Sequence, residues 1–468
     1  MSSQEEVLTS VKSELQHAPS TRKAFAHTLL VRAIGFGVGI GNSVLVARGL
    51  GAEGRGHLSV YLTAAMFLSL LLGPFSASNT ILLGRNPKLM RTLIYHSLTW
   101  TLLAVLSLLG LYWLAPPHFI KLVLDKTLPP WVWLLFIILS FQILAGGFQG
   151  LLLGRQDFYF SNYLSVINGA VMLGLNVIFI AWLNWDVTGA MLAFAITWML
   201  SAAFAFWRLQ VTEERQMNVG HFSLPLFQEG LTIGLRAIAS NFPSLLMLRS
   251  DVFLLQYFCG SAPVGIYTVA VSVAEMVLIV GGALNTIAFA KAASQQGIEA
   301  SVIRSAKFSL IASLGFWALL SLTGRWLFPL AYGREFAAAV APCLIVMIGI
   351  CAWNFGTPLM GYVVGKASYP LSYLIAVFGG FIINLACNVI LIPRYGSLGA
   401  AWATAIAYVA TALIGLRVFS RMTGTRMLIV LRPDRDDLNV ILNLIRQNRY
   451  FALKFRSEKM SRVFSQFN

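Results

Sequence analysis

Residues 49–56, GLGAEGRG, recur 209 positions later as FCGSAPVG at 258–265, and each copy lies between two long apolar segments. Gly51 matches Gly260, Gly56 matches Gly265, and SerVal at 59–60 matches ThrVal at 268–269. Further along, LGLNVIFI (173–180) recurs as LACNVILI (385–392), and TGAMLAFAI (188–196) as LGAAWATAI (398–406), at offsets of 212 and 210. An offset that drifts only where loops can absorb a residue marks the duplication of a unit about two hundred residues long. A duplicated membrane unit is how two-lobed transporters are built.

The chain has 468 residues, 57% of them hydrophobic and only 11% charged. Soluble domains carry roughly 25% charged residues, so most of this chain belongs in lipid. Its apolar stretches run for about 20 residues or more, enough to cross a hydrocarbon core of about 30 Å, and they are continuous where barrel strands would alternate. They predict helices over 24–48, 57–84, 91–114, 130–153, 158–183, 187–208, 230–258, 264–290, 305–324, 337–364, 369–393 and 397–417. The fold expected is all-α and integral to the membrane, with about 12 transmembrane helices in two pseudo-symmetric six-helix lobes. The first helix is expected to be retained, because no short apolar core with a small-residue cleavage site precedes it.

The formal net charge of +16 follows this topology. Of the 34 basic residues, 24 fall on the side of the N-terminus and seven on the other, with Arg32, Arg236 and Arg249 inside predicted helices. The positive-inside rule then puts both termini in the cytoplasm, and the charge reports orientation rather than nucleic-acid binding. Six helices per repeat give the two lobes the same orientation. The divisions expected are a tail over 1–23, an N-lobe over 24–209, a cytoplasmic linker over 210–229, a C-lobe over 230–420 and a basic tail over 421–468. Residues 436–446, DDLNVILNLIR, read either as a short amphipathic helix on the inner leaflet or as a solvated tail. Cys259, Cys343, Cys351 and Cys387 show no metal or disulfide spacing and read as small buried hydrophobes.

Ionisable residues inside a bilayer are costly and face a cavity or a partner. Arg32 and Arg236 lie at similar depth in the helices that lead the two lobes. They could converge on an anionic group in a central cavity, where guanidinium suits phosphate geometry, or each could snorkel to the headgroups. Asn42 and Asn241 join them as cavity candidates, since the repeat pairs Asp251 with Asn42 and Arg32 with Asn241. Asp251 and Glu275 are candidates for ion coupling or for pairing those arginines, with a structural hydrogen-bonded role as the alternative. Arg249 and Asp251, two residues apart, point away from each other on a helix. His96 reads as an interface residue. Gly35, Gly37, Gly39 and Gly41 form either a close-packing seam or a pliable segment, while Pro74 and Pro243 are hinge candidates alongside Pro342 and Pro358. No nucleophile–base set, phosphate loop or metal cluster stands out, so no enzyme, metal or organic cofactor is expected beyond coupling to H⁺ or Na⁺.

LVARGLGAEGRGHLSVYLTAA, RSDVFLLQYFCGSAPVGIYTVAVSVAE and INLACNVILIPRYGSLGAAWATAIAYV together resemble the polysaccharide-export branch of the MOP (multidrug/oligosaccharidyl-lipid/polysaccharide) superfamily over nearly all of 24–420. The resemblance implies a Wzx-type flippase, related to lipid II flippases and more distantly to MATE exporters, with two lobes in a V around a cationic cavity. It implies an undecaprenyl-diphosphate-linked oligosaccharide moved from the inner to the outer leaflet of the bacterial inner membrane by alternating access. That role serves surface or exopolysaccharide biosynthesis, with membrane lipids and polymerase or export machinery as partners. Two rivals stand beside it: an ion-coupled exporter of small organic cations, and a glycan polymerase or ligase. The latter needs a sizeable outer loop with catalytic Arg and His, and the longest loop here, about 115–129, holds His118 alone.

Overall fold

The computed structural model describes residues 21–114, 132–211, 222–294, 297–367, 371–427 and 430. The expected amphipathic segment at 436–446 and the longest loop lie outside the described residues. Every regular element among those described is helical. The first, α1 (Thr21–Leu71), has 51 residues and would run to about 77 Å if straight, more than twice the hydrocarbon core. It turns instead at Gly51, whose φ of 66° and ψ of −174° leave helical space. The left-handed φ favours a residue without a Cβ. The expected helices 24–48 and 57–84 are thus two limbs of one element, and the second limb ends early, before Gly73 and Pro74.

The remaining helices are α2 (Phe75–Arg85), α3 (Met90–Leu114), α4 (Val132–Gly154), α5 (Phe158–Asn176), α6 (Asp186–Val211), α7 (Leu224–Cys259), α8 (Ser261–Ala274), α9 (Leu278–Ser294), α10 (Glu299–Tyr332), α11 (Val340–Ala367), α12 (Leu371–Tyr395) and α13 (Ser397–Thr423). A π-helical turn, Val177–Trp182, extends α5, and a 3₁₀ turn, Glu275–Val277, separates α8 from α9 within the expected helix 264–290. Eleven helices among the described residues are long and apolar enough to cross a membrane; one of these, Ile34–Leu71, contains the Gly51 corner, which restores the expected twelve.

The chain forms two compact units. One runs to Val269 and includes Phe328–Ala337; the other takes Ala270–Leu327 and everything from Ala338. The sequence repeat divides the chain elsewhere, near 210–229. The difference has a packing cause: α7 and the start of α8 are built onto α1 and α2. A Cβ on Gly234 would lie 2.3 Å from the Pro74 carbonyl oxygen, and Phe227 packs on Phe75 with ring centroids 5.1 Å apart. Segment 328–337 is held at the α1 corner. Arg48 donates to the carbonyls of Ala331 (2.7 Å) and Leu330, and Glu335 accepts from the Ala52 amide at 3.0 Å. That carboxylate meets the amide end of the second limb, where a negative charge is favoured.

Within the first unit the two copies of the opening motif lie on each other. A Cβ on Gly56 would fall 1.8 Å from the Ser261 carbonyl oxygen, and one on Gly265 would fall 1.9 Å from that of Ala52. Ala52 and Ser261 are themselves repeat partners, so the contact is reciprocal. The hydroxyls of Ser59 and Thr268, also repeat partners, are hydrogen-bonded at 3.0 Å. Gly260 copies the Gly51 corner, with φ 80° and ψ −174°.

Each unit keeps a largely apolar interior, yet it also buries polar side chains and leaves large apolar ones outside. Asn79, Ser97, Ser309, Ser313 and Asn354 are buried, while Leu102, Leu106, Leu319, Leu322 and Ile390 are exposed. Without a hydrophobic force between helices, small residues and hydrogen bonds hold them together. In the second unit the α13 stripe Ala401, Ala405, Ala412 is buried, and a Cβ on Gly349 of α11 would come 2.6 Å from the Ala405 Cα. In the first unit Asn79 of α2 donates to Ser97 Oγ of α3 (2.8 Å) and to the Gly147 carbonyl of α4 (3.0 Å). In the second, Asn354 of α11 donates to Ser313 Oγ of α10 (2.9 Å) and to the Val277 carbonyl (3.0 Å). We expect Asn354→Leu to cost about 2–3 kcal/mol, from two intramembrane hydrogen bonds and a branched side chain forced against Gly281. A melting midpoint in detergent several degrees below wild type checks this.

Candidate substrate cavity

A cavity of about 400 Å³ opens in the first unit, among the second limb of α1, α4, α6 and α7. Its polar lining comes from Ser69, Ser76, Gln142, Gln149, Trp198 and Asn241, and the rest is apolar, including Met66, Ile143, Leu245 and Leu248. Glycines shape the wall. Gly150 carries no side chain where a Cβ would sit 2.1 Å from the Ser76 carbonyl oxygen, and Gly146 leaves Ser76 at ordinary contact distance. The α4 backbone therefore lies directly on the α2 start, and the amides of Gln142 and Gln149, two turns apart, project from it. Gln142 Oε1 is buried without a hydrogen-bond partner. Gln149 donates to Ser161 Oγ at a long 3.4 Å, and Asn241 Nδ2 donates to the Ala237 carbonyl at 2.9 Å. Among the described residues, no ionisable side chain lines the space.

The residues singled out from the sequence are dispersed. Asn241 lines the cavity. Arg236 is exposed, five residues earlier on α7 and so on a different face; its carbonyl accepts from Ser240. Arg32 lies in α1, with its side chain outside the described residues. Asn42 accepts from Asn176 Nδ2 of α5 at 2.7 Å. Asp251 is 2% exposed; its Oδ1 accepts from the Val252 amide at 2.9 Å and its Oδ2 from the Tyr267 hydroxyl. Glu275 opens the 3₁₀ turn after α8 and belongs to the other unit. His96 accepts from the Ser223 amide at 3.3 Å and packs among Phe75, Phe222 and Phe227, an interface position as expected.

The glycine run reads differently in place. Gly35 and Gly41 stand 3.6 and 3.8 Å, by a built Cβ, from Val166 and Leu173 of α5, whereas Gly37 and Gly39 have nothing within 4 Å. The face packed on α5 takes in Gly35 and Gly41 and leaves out Gly37 and Gly39. Helix α5 follows the line 35, 38, 41, 42, since three- and seven-residue steps stay on one side of a helix. Within this run α1 keeps helical geometry, its one departure being Gly51. Pro74 lies where the second limb gives way to α2, while α7 runs on through Pro243.

Sequence reasoning missed Gln142, Gln149 and Trp198. The glutamines carried a signal, because two amides seven apart on an otherwise apolar helix share a face; Trp198 carried none.

Comparison with known proteins places this geometry. The profile of the family described as "Polysaccharide biosynthesis protein" matches residues 21–290. None of the curated proteins compared matches the sequence. Among solved structures, the lipid II flippase MurJ in an inward closed conformation superposes with a TM-score of 0.72 at 14% identity, covering 93% of this chain and 100% of that one. An inward-facing multidrug resistance MATE family transporter of the MOP superfamily gives 0.66 at 15% identity, covering 83% and 94%. An outward-facing MATE family transporter gives 0.58 at 16%, covering 85% and 94%. These likenesses show the fold, which the chain shares with the lipid II flippase and the MATE family transporters.

Proposed function

The chain belongs to the polysaccharide biosynthesis protein family, and from that premise we propose that it is a flippase for a lipid-linked oligosaccharide. The substrate is an undecaprenyl-diphosphate-linked glycan, carried from the inner to the outer leaflet of the bacterial inner membrane by alternating access. The observation that carries this reading is the family match, which spans both copies of the opening motif and every residue that lines the polar cavity. The fold supports it, being shared with a lipid II flippase over the full length of that chain. The cavity chemistry supports it as well. An exporter of organic cations needs an acid in its site, and the cavity of the first unit has none among its lining side chains.

Both termini lie in the cytoplasm in this reading, and the two repeats 24–209 and 230–420 act as the moving lobes. Arg32 and Arg236 receive the diphosphate, the glycan occupies polar space and the prenyl chain stays in lipid. Asp251 or Glu275 couples the cycle to an ion gradient, and Gly35, Gly37, Gly39, Gly41, Pro74 and Pro243 absorb the bending. A polymerase or export complex takes the product. A deletion strain should accumulate the undecaprenyl-linked oligosaccharide severalfold and lose the surface polymer, with recovery from a plasmid copy. Lipid extraction with mass spectrometry measures the first and surface labelling the second; unchanged polymer with no accumulated intermediate would sink the proposal.

A further inference from the structure

We propose that the cavity of the first unit is a subsite for a neutral, hydroxyl-rich sugar ring of the substrate. The inference rests on the flippase reading and deepens it. Ser69, Ser76, Gln142, Gln149 and Asn241 bring hydroxyls and carboxamides, the groups that donate and accept at once. Sugar hydroxyls have the same double character. Trp198 adds an apolar indole face for the C–H face of a pyranose, the usual composition of a small-molecule site being an apolar wall with a few placed polar groups.

Three observations, taken together, fit this site to a ligand. Gln142 Oε1 is buried without a donor, an arrangement that is costly inside a membrane unless something supplies one. Gln149 and Asn241 hold only a long or a local hydrogen bond, at 3.4 and 2.9 Å, so their amides can turn to a ligand. Finally, Met66 lines the cavity at the position whose repeat counterpart is Glu275. The duplicated frame holds an acid in one repeat, and in the other the equivalent side chain is apolar beside a ring of amides. The position is apolar here and acidic in the other repeat. The diphosphate is held elsewhere, and the cavity reads the sugar.

The test compares two probes, undecaprenyl diphosphate alone and undecaprenyl-diphosphate-linked N-acetylglucosamine, on the full chain in nanodiscs by native mass spectrometry. The wild type should bind the glycosylated probe about 10-fold more tightly than the bare one, the increment a few neutral hydrogen bonds and a ring contact provide. Gln142→Leu and Trp198→Leu should each reduce that advantage by about 3-fold or more and leave the affinity for the bare probe unchanged. Gln142→Leu should also raise the melting midpoint of the unliganded protein, because it removes an unsatisfied oxygen; a structural role for Gln142 predicts a fall. If both probes bind and the sugar advantage is absent, or survives both substitutions, the subsite is wrong and the flippase reading stands. If neither probe binds the wild type, the flippase reading itself fails and the subsite with it.

Discussion

Gly56→Ala and Gly265→Ala should each destabilise the protein by about 3–5 kcal/mol, the range reserved for substitutions with a specific steric cause. The added methyl would stand 1.8 Å from the Ser261 carbonyl oxygen in one case and 1.9 Å from that of Ala52 in the other. Those obstacles are backbone atoms of helices, which have no rotamer to change. The helices must part by more than an ångström. Parting them also breaks the Ser59–Thr268 hydrogen bond and loosens the buried Val60 and Val269. Gly37→Ala is the control, since nothing lies within 4 Å of its added atom, and it should be neutral or slightly stabilising in a helix. Thermal unfolding in detergent and the yield of protein in the membrane fraction measure the difference. Midpoints for Gly56→Ala and Gly37→Ala that coincide would show that the reciprocal contact does not form.

Asp251→Leu should be the next most damaging change, at about 2–4 kcal/mol, because it removes the buried carboxyl that receives the Tyr267 hydroxyl. The bond ties α7 to α8 across the Gly260 corner, so its loss frees the turn that sets Gly265 against α1. Tyr267→Phe should cost less. The double variant should be milder than the sum of the two, with a coupling of about 1–3 kcal/mol. Strict additivity in unfolding midpoints would mean that the pair does not interact.

Much of this fold could be read from residue types. Twelve membrane crossings followed from the length of the apolar runs, and the duplication from the GLGAEGRG and FCGSAPVG copies. The finer breaks could not be read so easily. The Gly73–Pro74 pair does mark the end of the second α1 limb, but nothing marks the 3₁₀ turn at Glu275, since Met276 and Val277 in a break look like apolar residues in a helix. The repeat also suggested two units split near 210–229, whereas contacts at Phe75, Pro74 and Gly56 draw α7 and the start of α8 into the first unit. Charged residues dominated the search for a site because charge in a membrane is conspicuous. Gln142, Gln149 and Trp198 are neutral, and their importance comes from sharing one space, which spacing within α4 could reveal for the glutamines and no linear pattern could reveal for the tryptophan.

The two asparagine ties bear on how such a chain can change. In the first unit the donor sits on the second helix of the repeat and reaches the fourth; in the second unit it sits on the fourth-helix equivalent and reaches back toward the second. The same joint is made with the peg and the socket exchanged. Once the copies had settled on opposite solutions, neither could lend a single helix to the other. A chimera taking the second helix from one repeat and the fourth from the other would bring together two carboxamides or none. Gene conversion between the halves, which would otherwise keep duplicated segments alike, would therefore be penalised at this joint.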